Sequence, residues 1–184
     1  MAQQELKQNL RDVFRQKRTA QPRSSVTSSL CELLREIRSE KALWLSYRAS
    51  QSEANPQEGV DQLGGRWAYP KVFGPSLKFY VPHSEDSWSQ GPWGLLEPDP
   101  AKSDEVSVND AEGALIPGLA FDKNGTRLGS GKGFYDRALE TFKGYRVGVA
   151  YESQLSLEDL PRESHDVPMQ FVVTEKRVMR LPKG

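Results

Sequence analysis

The feature that most constrains this chain is a long apolar run that leads into a glycine-rich segment. The run, Ala114–Phe121, is the most apolar stretch of the sequence, and we expect a central strand there, kinked at Pro117–Gly118. The segment Arg127–Arg137 follows and carries glycine at alternate positions. Glycine frees the backbone and lets a ligand approach it closely. A strand ending in such a segment is typical of the ligand-binding edge of an α/β sheet.

Apolar runs of strand length alternate with helical patterns along the rest of the chain. The alternation predicts one domain over residues 1–184, a Rossmann-like three-layer α/β sandwich with a largely parallel central sheet and helices on both faces. Residues 83–112 are expected to form a long irregular loop, and Asn124–Gly125 a type I′ hairpin turn. Helices are predicted over 5–18, 25–39, 56–63 and 133–142, and strands over 42–47, 67–72, 77–81, 114–121, 146–151 and 171–174. In the first helix the residues expected to face inward are Leu6, Leu10, Val13 and Phe14.

Composition excludes several classes of protein. Basic and acidic residues balance at 25 each, so a general nucleic-acid-binding surface is not expected. The single cysteine, Cys31, can form no internal disulfide. No secretory signal is evident, and no stretch approaches the roughly 20 apolar residues of a membrane span. We therefore expect a cytoplasmic monomer with no membrane partner.

The glycine-rich segment has the chemistry of a polyphosphate site. Its backbone N–H groups and the start of a following helix can converge on an anion, while Arg127, Lys132 and Arg137 add positive charge. Asp136 could hold Mg²⁺ beside phosphate oxygens. The spacing is neither that of a Walker loop nor that of a dinucleotide fingerprint. On composition alone, a flexible linker between hairpin and helix stays open.

The residues at 116–122 and 125–137 closely resemble the signature of the 5-formyltetrahydrofolate cyclo-ligase family, also called methenyltetrahydrofolate synthetase. The resemblance implies an enzyme that uses ATP and Mg²⁺ to convert 5-formyltetrahydrofolate, a reduced folate, into 5,10-methenyltetrahydrofolate, ADP and phosphate. The formyl oxygen would attack the γ-phosphate to give an imidate phosphate, and N10 would then close the ring while phosphate leaves. The likeness continues at 7–11, 69–71, 93–98, 148–154, 160–161, 165–168 and 173–175.

The resemblance also implies roles in ATP binding. Lys7 and Arg11, one helical turn apart, would contact the phosphates, although with Arg15 they could equally form a solvated basic face. Catalytic roles fall to Arg127, Lys132 and Tyr135, with Lys132 neutralising the γ-phosphate and Tyr135 donating a hydrogen bond near the formyl group. The implied ATP-binding set is Lys7, Arg11, Arg127, Leu128, Gly129, Ser130, Gly131, Lys132, Gly133, Phe134 and Tyr135.

Asp136 is the implied metal ligand, with pairing to Arg137 or helix capping as alternatives. One departure from the family pattern bears on the metal. Gln170 stands where relatives commonly carry an aspartate, which in some of them is a second metal ligand, and glutamine binds Mg²⁺ more weakly. We interpret His165 as structural rather than catalytic.

The folate-binding residues implied by the resemblance lie in two other segments. Trp93 would pack on the pterin and Glu97 would accept its N–H groups. Glu53 would also bind the folate, and Leu45 and Tyr47 would line the same pocket. Taken alone, Trp93 is as typical of a core or loop anchor, and Glu53 of an exposed glutamate.

Two other functions stay open at this point. The chain could bind nucleotide or folate without turnover, which Gln170 favours. It could also be an unrelated α/β enzyme that cradles a sugar phosphate in the glycine-rich segment.

Overall fold

The structure is a computed structural model that describes residues 2–20, 24–163 and 166–182. In them, none of the helices combines the length and apolar character that a bilayer crossing needs. The α-helices are α1 (Ala2–Thr19), α2 (Thr27–Ile37), α3 (Gln57–Leu63) and α4 (Phe134–Ala138). The strands are β1 (Leu43–Leu45), β2 (Arg66–Phe73), β3 (Ser76–Pro82), β4 (Trp88–Gln90), β5 (Leu96–Pro98), β6 (Ser103–Val106), β7 (Gly113–Pro117), β8 (Ala120–Phe121), β9 (Arg127–Leu128), β10 (Tyr145–Val149), β11 (Phe171–Val173) and β12 (Val178–Arg180).

Eight strands form one sheet in the order β12-β11-β10-β7-β1-β2-β3-β6. The central strands from β11 to β2 pair in parallel, and β12, β3 and β6 add antiparallel partners at the two ends. Leu45 of β1 aligns with Ala114 of β7, and Pro117 at the end of β7 aligns with Val149 of β10. The carboxyl ends of these strands therefore share one edge. The predicted, largely parallel sheet is confirmed.

The two faces of the sheet bury separate cores because successive strand residues point to opposite sides. Leu115 of β7 belongs to the core beneath α2 and α3, which also contains Trp44 and Val147. Its neighbours Ala114 and Ile116 belong to the core on the other face, against which α4 packs. Helices therefore lie on both faces, as predicted.

Helix α1 packs through a different side from the one predicted. Phe14 is buried with Leu119 and Leu128, but Leu6 and Val13 are 50% and 47% exposed. The prediction that they face inward is wrong because the side of the helix that carries Lys7, Arg11 and Arg18 packs against the rest of the protein. The side chains that face the protein are Lys7, Leu10, Arg11, Phe14 and Arg18.

Residues 83–112 are also more regular than predicted. They contain the β4–β5 hairpin and β6, which pairs with β3 at the edge of the main sheet. This pairing was missed, like β12, because it depends on a distant strand and not on a local pattern. Conversely, α4 ends at Ala138, four residues before the predicted end at Phe142.

The apolar run does not pass through Pro117 as one kinked strand. It ends there, and β8 pairs instead with β9 in a separate hairpin. The N–H of Gly125 donates to Asp122 O, and the N–H of Asp122 to Thr126 O, each at 3.2 Å. The connection is therefore a three-residue loop closed by Gly125, whose φ is +82°, and not the predicted type I′ turn.

Asp122 holds this loop through its side chain, which is about 1% exposed. Its Oδ1 accepts the N–H groups of Asn124 and Thr126 at 2.9 and 2.8 Å, and its Oδ2 accepts that of Leu160 at 2.8 Å. Asp122→Ala leaves these donors without their acceptor, and we expect it to lower the free energy of unfolding by about 3 kcal/mol. Urea denaturation measures the loss. Asp110→Ala, at an exposed site, is the control, and an equal loss in both variants would contradict the role of Asp122.

Candidate active site

One cavity of about 200 Å³ opens at the carboxyl edge of the parallel strands. Its walls come from the segment after β1, from β2 and β3, from the β4–β5 hairpin, from the end of β7 and from the glycine-rich segment. Arg18 of α1 also lines it. Segments distant in the sequence thus meet where ligands bind in α/β folds.

The glycine-rich segment forms one wall of the cavity and leaves several backbone donors available. Gly131 and Gly133 have φ angles of +97° and +65°, a region that other residues rarely adopt. The N–H groups of 129–131 and of Gly133 donate to no acceptor in the part of the chain that the structure describes. Arg11 Nε donates to Gly129 O at 3.2 Å, so α1 contacts this segment, whereas the contact of Arg11 with phosphate stays a prediction. Converging N–H groups beside a guanidinium form a suitable anion site.

Arg127 and Asp136 form the tightest ion pair of the cavity. The Nη2–Oδ1 distance is 2.5 Å, and the Arg127 side chain is only 8% exposed. Arg127 Nη1 also donates to Pro117 O at 3.3 Å. The alternative pairing of Asp136 with Arg137 is not the one observed, since the Arg137 guanidinium donates to the carbonyls of Pro75 and Lys132.

The fit to a metal ion is limited. In the described residues, no group of three or more His, Cys, Asp or Glu side chains could hold one. Asp136 is a single carboxylate with one oxygen already bonded to Arg127. Mg²⁺ commonly uses one or two carboxylates together with substrate phosphates. The site therefore fits Mg²⁺ that arrives with a polyphosphate, and not a metal held by the protein alone.

Gln170 lies at the opposite end of the sheet from Asp136. Its Oε1 accepts the N–H of Arg146 at 2.9 Å, and its own N–H donates to Arg146 O. Both residues are at the amino ends of their strands, whereas Asp136 adjoins the carboxyl end of β7. His165, interpreted as structural, lies outside the described residues.

Two tyrosines beside the cavity are held in the protonated form. Burial, and then the negative charge of Glu53, raise the pKa of Tyr135 above its ordinary value, although Arg127 opposes the shift. Burial and the same carboxylate raise the pKa of Tyr47, whose hydroxyl donates to Ala54 O at 2.5 Å. Tyr135 has no such bond to the protein among the described residues, so its hydroxyl can serve a ligand.

Glu53 is fixed at the cavity wall rather than exposed. Its Oε2 accepts the N–H of Ser50 at 2.8 Å, and Oε1 is 3.5 Å from Arg18 Nη1. Arg18 was missed in the sequence. Its position on the same side of α1 as Lys7 and Arg11 could have identified it. Arg15, which the sequence analysis grouped with Lys7 and Arg11 as one basic face, is exposed.

The β4–β5 hairpin brings Glu97 to the far side of the cavity. Its carboxylate is buried and makes only long contacts, 3.5 Å to Lys71 Nζ and 3.4 Å to the N–H of Val72. The backbone of Trp93 lies in the turn Pro92–Gly94 of this hairpin, and its side chain is outside the described part.

Other predicted residues lie away from the cavity. Leu45 is buried in the core on the α4 face and does not line the cavity. Leu128 is buried against α1. The Lys7 ammonium is buried and pairs with Glu163 at 2.7 Å. Lys132 is exposed and does not line the cavity, whereas Gly129, Ser130, Gly133 and Phe134 do.

A cavity at the carboxyl edge of a parallel sheet, with backbone N–H groups on one side and carboxylates on another, suits an enzyme that binds a phosphate donor together with a second substrate. The chain matches the 5-formyltetrahydrofolate cyclo-ligase family over residues 2–175. It therefore belongs to that family of ATP-dependent ligases.

Individual relatives agree with this assignment. A 5-formyltetrahydrofolate cyclo-ligase of Escherichia coli K12 is 33% identical over 146 residues, which cover 74% of this chain and 78% of the relative. One from Mycolicibacterium smegmatis is 40% identical over 87 residues, 46% of this chain and 44% of the relative. The solved 5,10-methenyltetrahydrofolate synthetase of Aquifex aeolicus has a TM-score of 0.82 at 33% identity and covers 97% of this chain and 94% of its own.

The position of Glu97 depends on the absence of a side chain at residue 91. A Cβ on Gly91 would lie 2.4 Å from Glu97 Cδ, although its φ of −91° is open to any residue. Gly91→Ala should therefore lower the free energy of unfolding by about 2 kcal/mol, as overpacking does. In a Glu97→Ala background the same change should cost almost nothing, since the clash is gone. Equal losses in both backgrounds, measured by urea denaturation, would show that Glu97 does not occupy this space.

Proposed function

We propose that this chain uses ATP to cyclise 5-formyltetrahydrofolate to 5,10-methenyltetrahydrofolate, with release of ADP and phosphate. The observation that carries the proposal is the pairing of two unlike walls in one cavity. One wall offers Arg127 and backbone N–H groups that have no acceptor among the described residues, with Arg11 bonded to the same segment, and this suits phosphates. The other offers the carboxylates of Glu53 and Glu97, which suit the N–H groups of a pterin.

The phosphates of ATP would lie along Gly129–Gly133. Arg11 already contacts this segment, and Arg127 is held at its start. Lys132 would neutralise the γ-phosphate from the solvent side. Lys7 would reach phosphate oxygens only by leaving Glu163, because its ammonium is now bonded to that carboxylate.

The pterin would occupy the side of the cavity formed by Glu53, Glu97 and Tyr135. Both carboxylates are hydrogen-bond acceptors and can bind the pterin amino and ring N–H groups. We propose that Trp93 packs on the ring, as in the family pattern. Leu45 would act only indirectly, by supporting β1 beneath Tyr47.

The chemistry would proceed in two displacements. The formyl oxygen attacks the γ-phosphorus while the bond from phosphorus to the bridging oxygen breaks, and ADP leaves. N10 then attacks the formyl carbon of the imidate phosphate, loses its proton, and phosphate departs. Tyr135, which is protonated and has no acceptor for its hydroxyl among the residues that the structure describes, would hydrogen-bond the formyl oxygen and align it. Mg²⁺, which Asp136 would hold together with the phosphates, supplies charge neutralisation when bound.

The alternative of a binding protein without turnover loses its support. Gln170 favoured it in the sequence, but its side chain is committed to Arg146 at the other end of the sheet. The alternative of a sugar-phosphate enzyme gives no role to the two carboxylates on the wall that faces the glycine-rich segment.

One assay tests the proposed reaction directly. Purified protein with 5-formyltetrahydrofolate, ATP and Mg²⁺ should form the methenyl chromophore in the near ultraviolet. Absence of product, with ATP binding still measurable, would refute the proposed function.

Lys132→Ala should lower kcat about 100-fold, because removal of one group that stabilises transition-state charge typically costs that much. The fold should be unaffected, since Lys132 is exposed. Lys143→Ala, also exposed, is the matched control and should retain full activity. Unchanged activity in Lys132→Ala would remove this residue from the mechanism.

Tyr135→Phe should lower kcat by about tenfold or more, as loss of a transition-state hydrogen bond does. The raised pKa means that Tyr135 keeps its proton above its ordinary titration range near pH 10. The ratio of wild-type to variant kcat should therefore stay constant between about pH 7 and pH 10. A ratio that falls toward one as pH approaches 9 would show that Tyr135 ionises there, contrary to its environment.

A further inference from the structure

Arg48 lies on the cavity wall in an aromatic setting that the proposed reaction does not use. Its guanidinium carbon is 4.1 Å from the centre of the Trp88 ring and 5.4 Å from that of Tyr69. The two rings meet edge to face, with centroids 4.9 Å apart. Stacking on aromatic faces fixes the plane of a guanidinium and leaves its N–H edge for a planar anion such as carboxylate.

The charges around the cavity are paired, with Arg48 as the exception. Arg127 pairs with Asp136, Arg18 with Glu53, and Lys71 with Glu97. Within residues 2–20, 24–163 and 166–182, no carboxylate lies within 4.0 Å of Arg48. Its buried Nε has no hydrogen-bond acceptor there. A cation with an unmatched donor beside a cavity calls for an anion from the ligand.

Arg48 is also placed away from the phosphate wall. Tyr69 and Trp88 pack with the core beneath α2 and α3, whereas Tyr135, beside the glycine-rich segment, packs with the core on the other face. The lining of the cavity also includes the apolar side chains of Val72, Leu77 and Leu95. A ligand that reaches Arg48 therefore carries an apolar middle and an anionic group remote from the phosphates of ATP.

We propose that Arg48 is a specificity-determining residue that binds a carboxylate of the folate's glutamate. The inference rests on the proposed function, since a reduced folate joins its pterin to glutamate through an aromatic ring. The ring would lie against the apolar wall, and the glutamate would supply the missing countercharge. Arg48 takes no part in bond making, so its effect falls on binding of the folate.

The first test needs no variant. Binding of 5-formyltetrahydrofolate to the wild-type protein is compared by calorimetry, without ATP, with binding of a neutral analogue in which a methylamide replaces the glutamate. The folate should bind about 30-fold more tightly, the effect expected of a charge-assisted hydrogen-bonded pair. Equal Kd values for the two ligands would overturn the proposal.

The second test assigns the preference to Arg48. R48Q should weaken folate binding about 30-fold and leave the Kd of the analogue and the KM for ATP unchanged. R48K should fall between R48Q and wild type, because it keeps the charge but loses the planar fork. Arg66→Gln, at an exposed position on β2, is the matched control and should change neither Kd.

The outcomes separate this inference from the proposed function. If R48Q weakened the binding of folate and of the analogue equally, Arg48 would line the cavity without recognising the carboxylate. If R48Q raised only the KM for ATP, Arg48 would contact the nucleotide. Either result overturns the inference. Formation of methenyl product by the wild-type protein would leave the proposed function standing in both cases. Absence of product with the 30-fold preference intact would refute the reaction and keep the carboxylate site.

Discussion

Parallel pairing of β1 with β7 is the constraint on which the whole site depends. Alignment of Leu45 with Ala114 makes both strands leave the sheet at the same edge. The chain after β1 turns through α3 to β2 on one side, and the chain after β7 turns through α4 to β10 on the other. The strand order therefore reverses between β1 and β7, and the two connections diverge. Such a switch point opens a crevice without any special loop.

This divergence also explains why the cavity has two kinds of wall. The β1 connection carries Arg48 and Glu53, and the β7 connection leads into the glycine-rich segment. The segment after β1 packs with the core beneath α2 and α3 through Tyr47 and Ala54, whereas Tyr135, after the glycine-rich segment, packs with the core on the α4 face. Helix α1 bridges them, since Arg11 bonds to Gly129 and Arg18 contacts Glu53. Helix α1 therefore fixes the position of the glycine-rich segment relative to the segment after β1.

Sequence reasoning succeeded where local chemistry determines the outcome. The most apolar run contains the central strand β7, and Glu53, Glu97 and Tyr135, which the family resemblance assigned to the folate, line one cavity. Sequence reasoning failed where a residue's burial or a strand's pairing depends on a segment far away in the sequence. Val13 is exposed because α1 rotates Lys7 and Arg11 inward, and β6 becomes a strand only because β3 offers it an edge.

The missed site residues have the same origin. Arg18 is one basic residue among several in α1, and only the observed orientation of the helix selects it over Arg15. The Arg48 guanidinium stacks on the ring of Trp88, which lies 40 positions away in the sequence. For Gln170 the sequence suggested too much. The glutamine was interpreted as a change in the metal site, but the sheet places this residue at the edge opposite Asp136.

The ion pairs of the cavity differ in how readily a ligand can replace them. The 2.5 Å contact of Arg127 with Asp136 is a close, largely buried pair, whereas those of Glu53 and Glu97 are 3.5 Å long. Breaking a buried charge pair without replacement costs several kcal/mol, so Arg127 and Asp136 are expected to stay together and to act as one unit toward a bound polyphosphate. The two long pairs lose little when a ligand N–H takes the place of the cation. Among the charge pairs that line the cavity, those of Glu53 with Arg18 and of Glu97 with Lys71 are therefore the ones that a ligand can exchange at low cost.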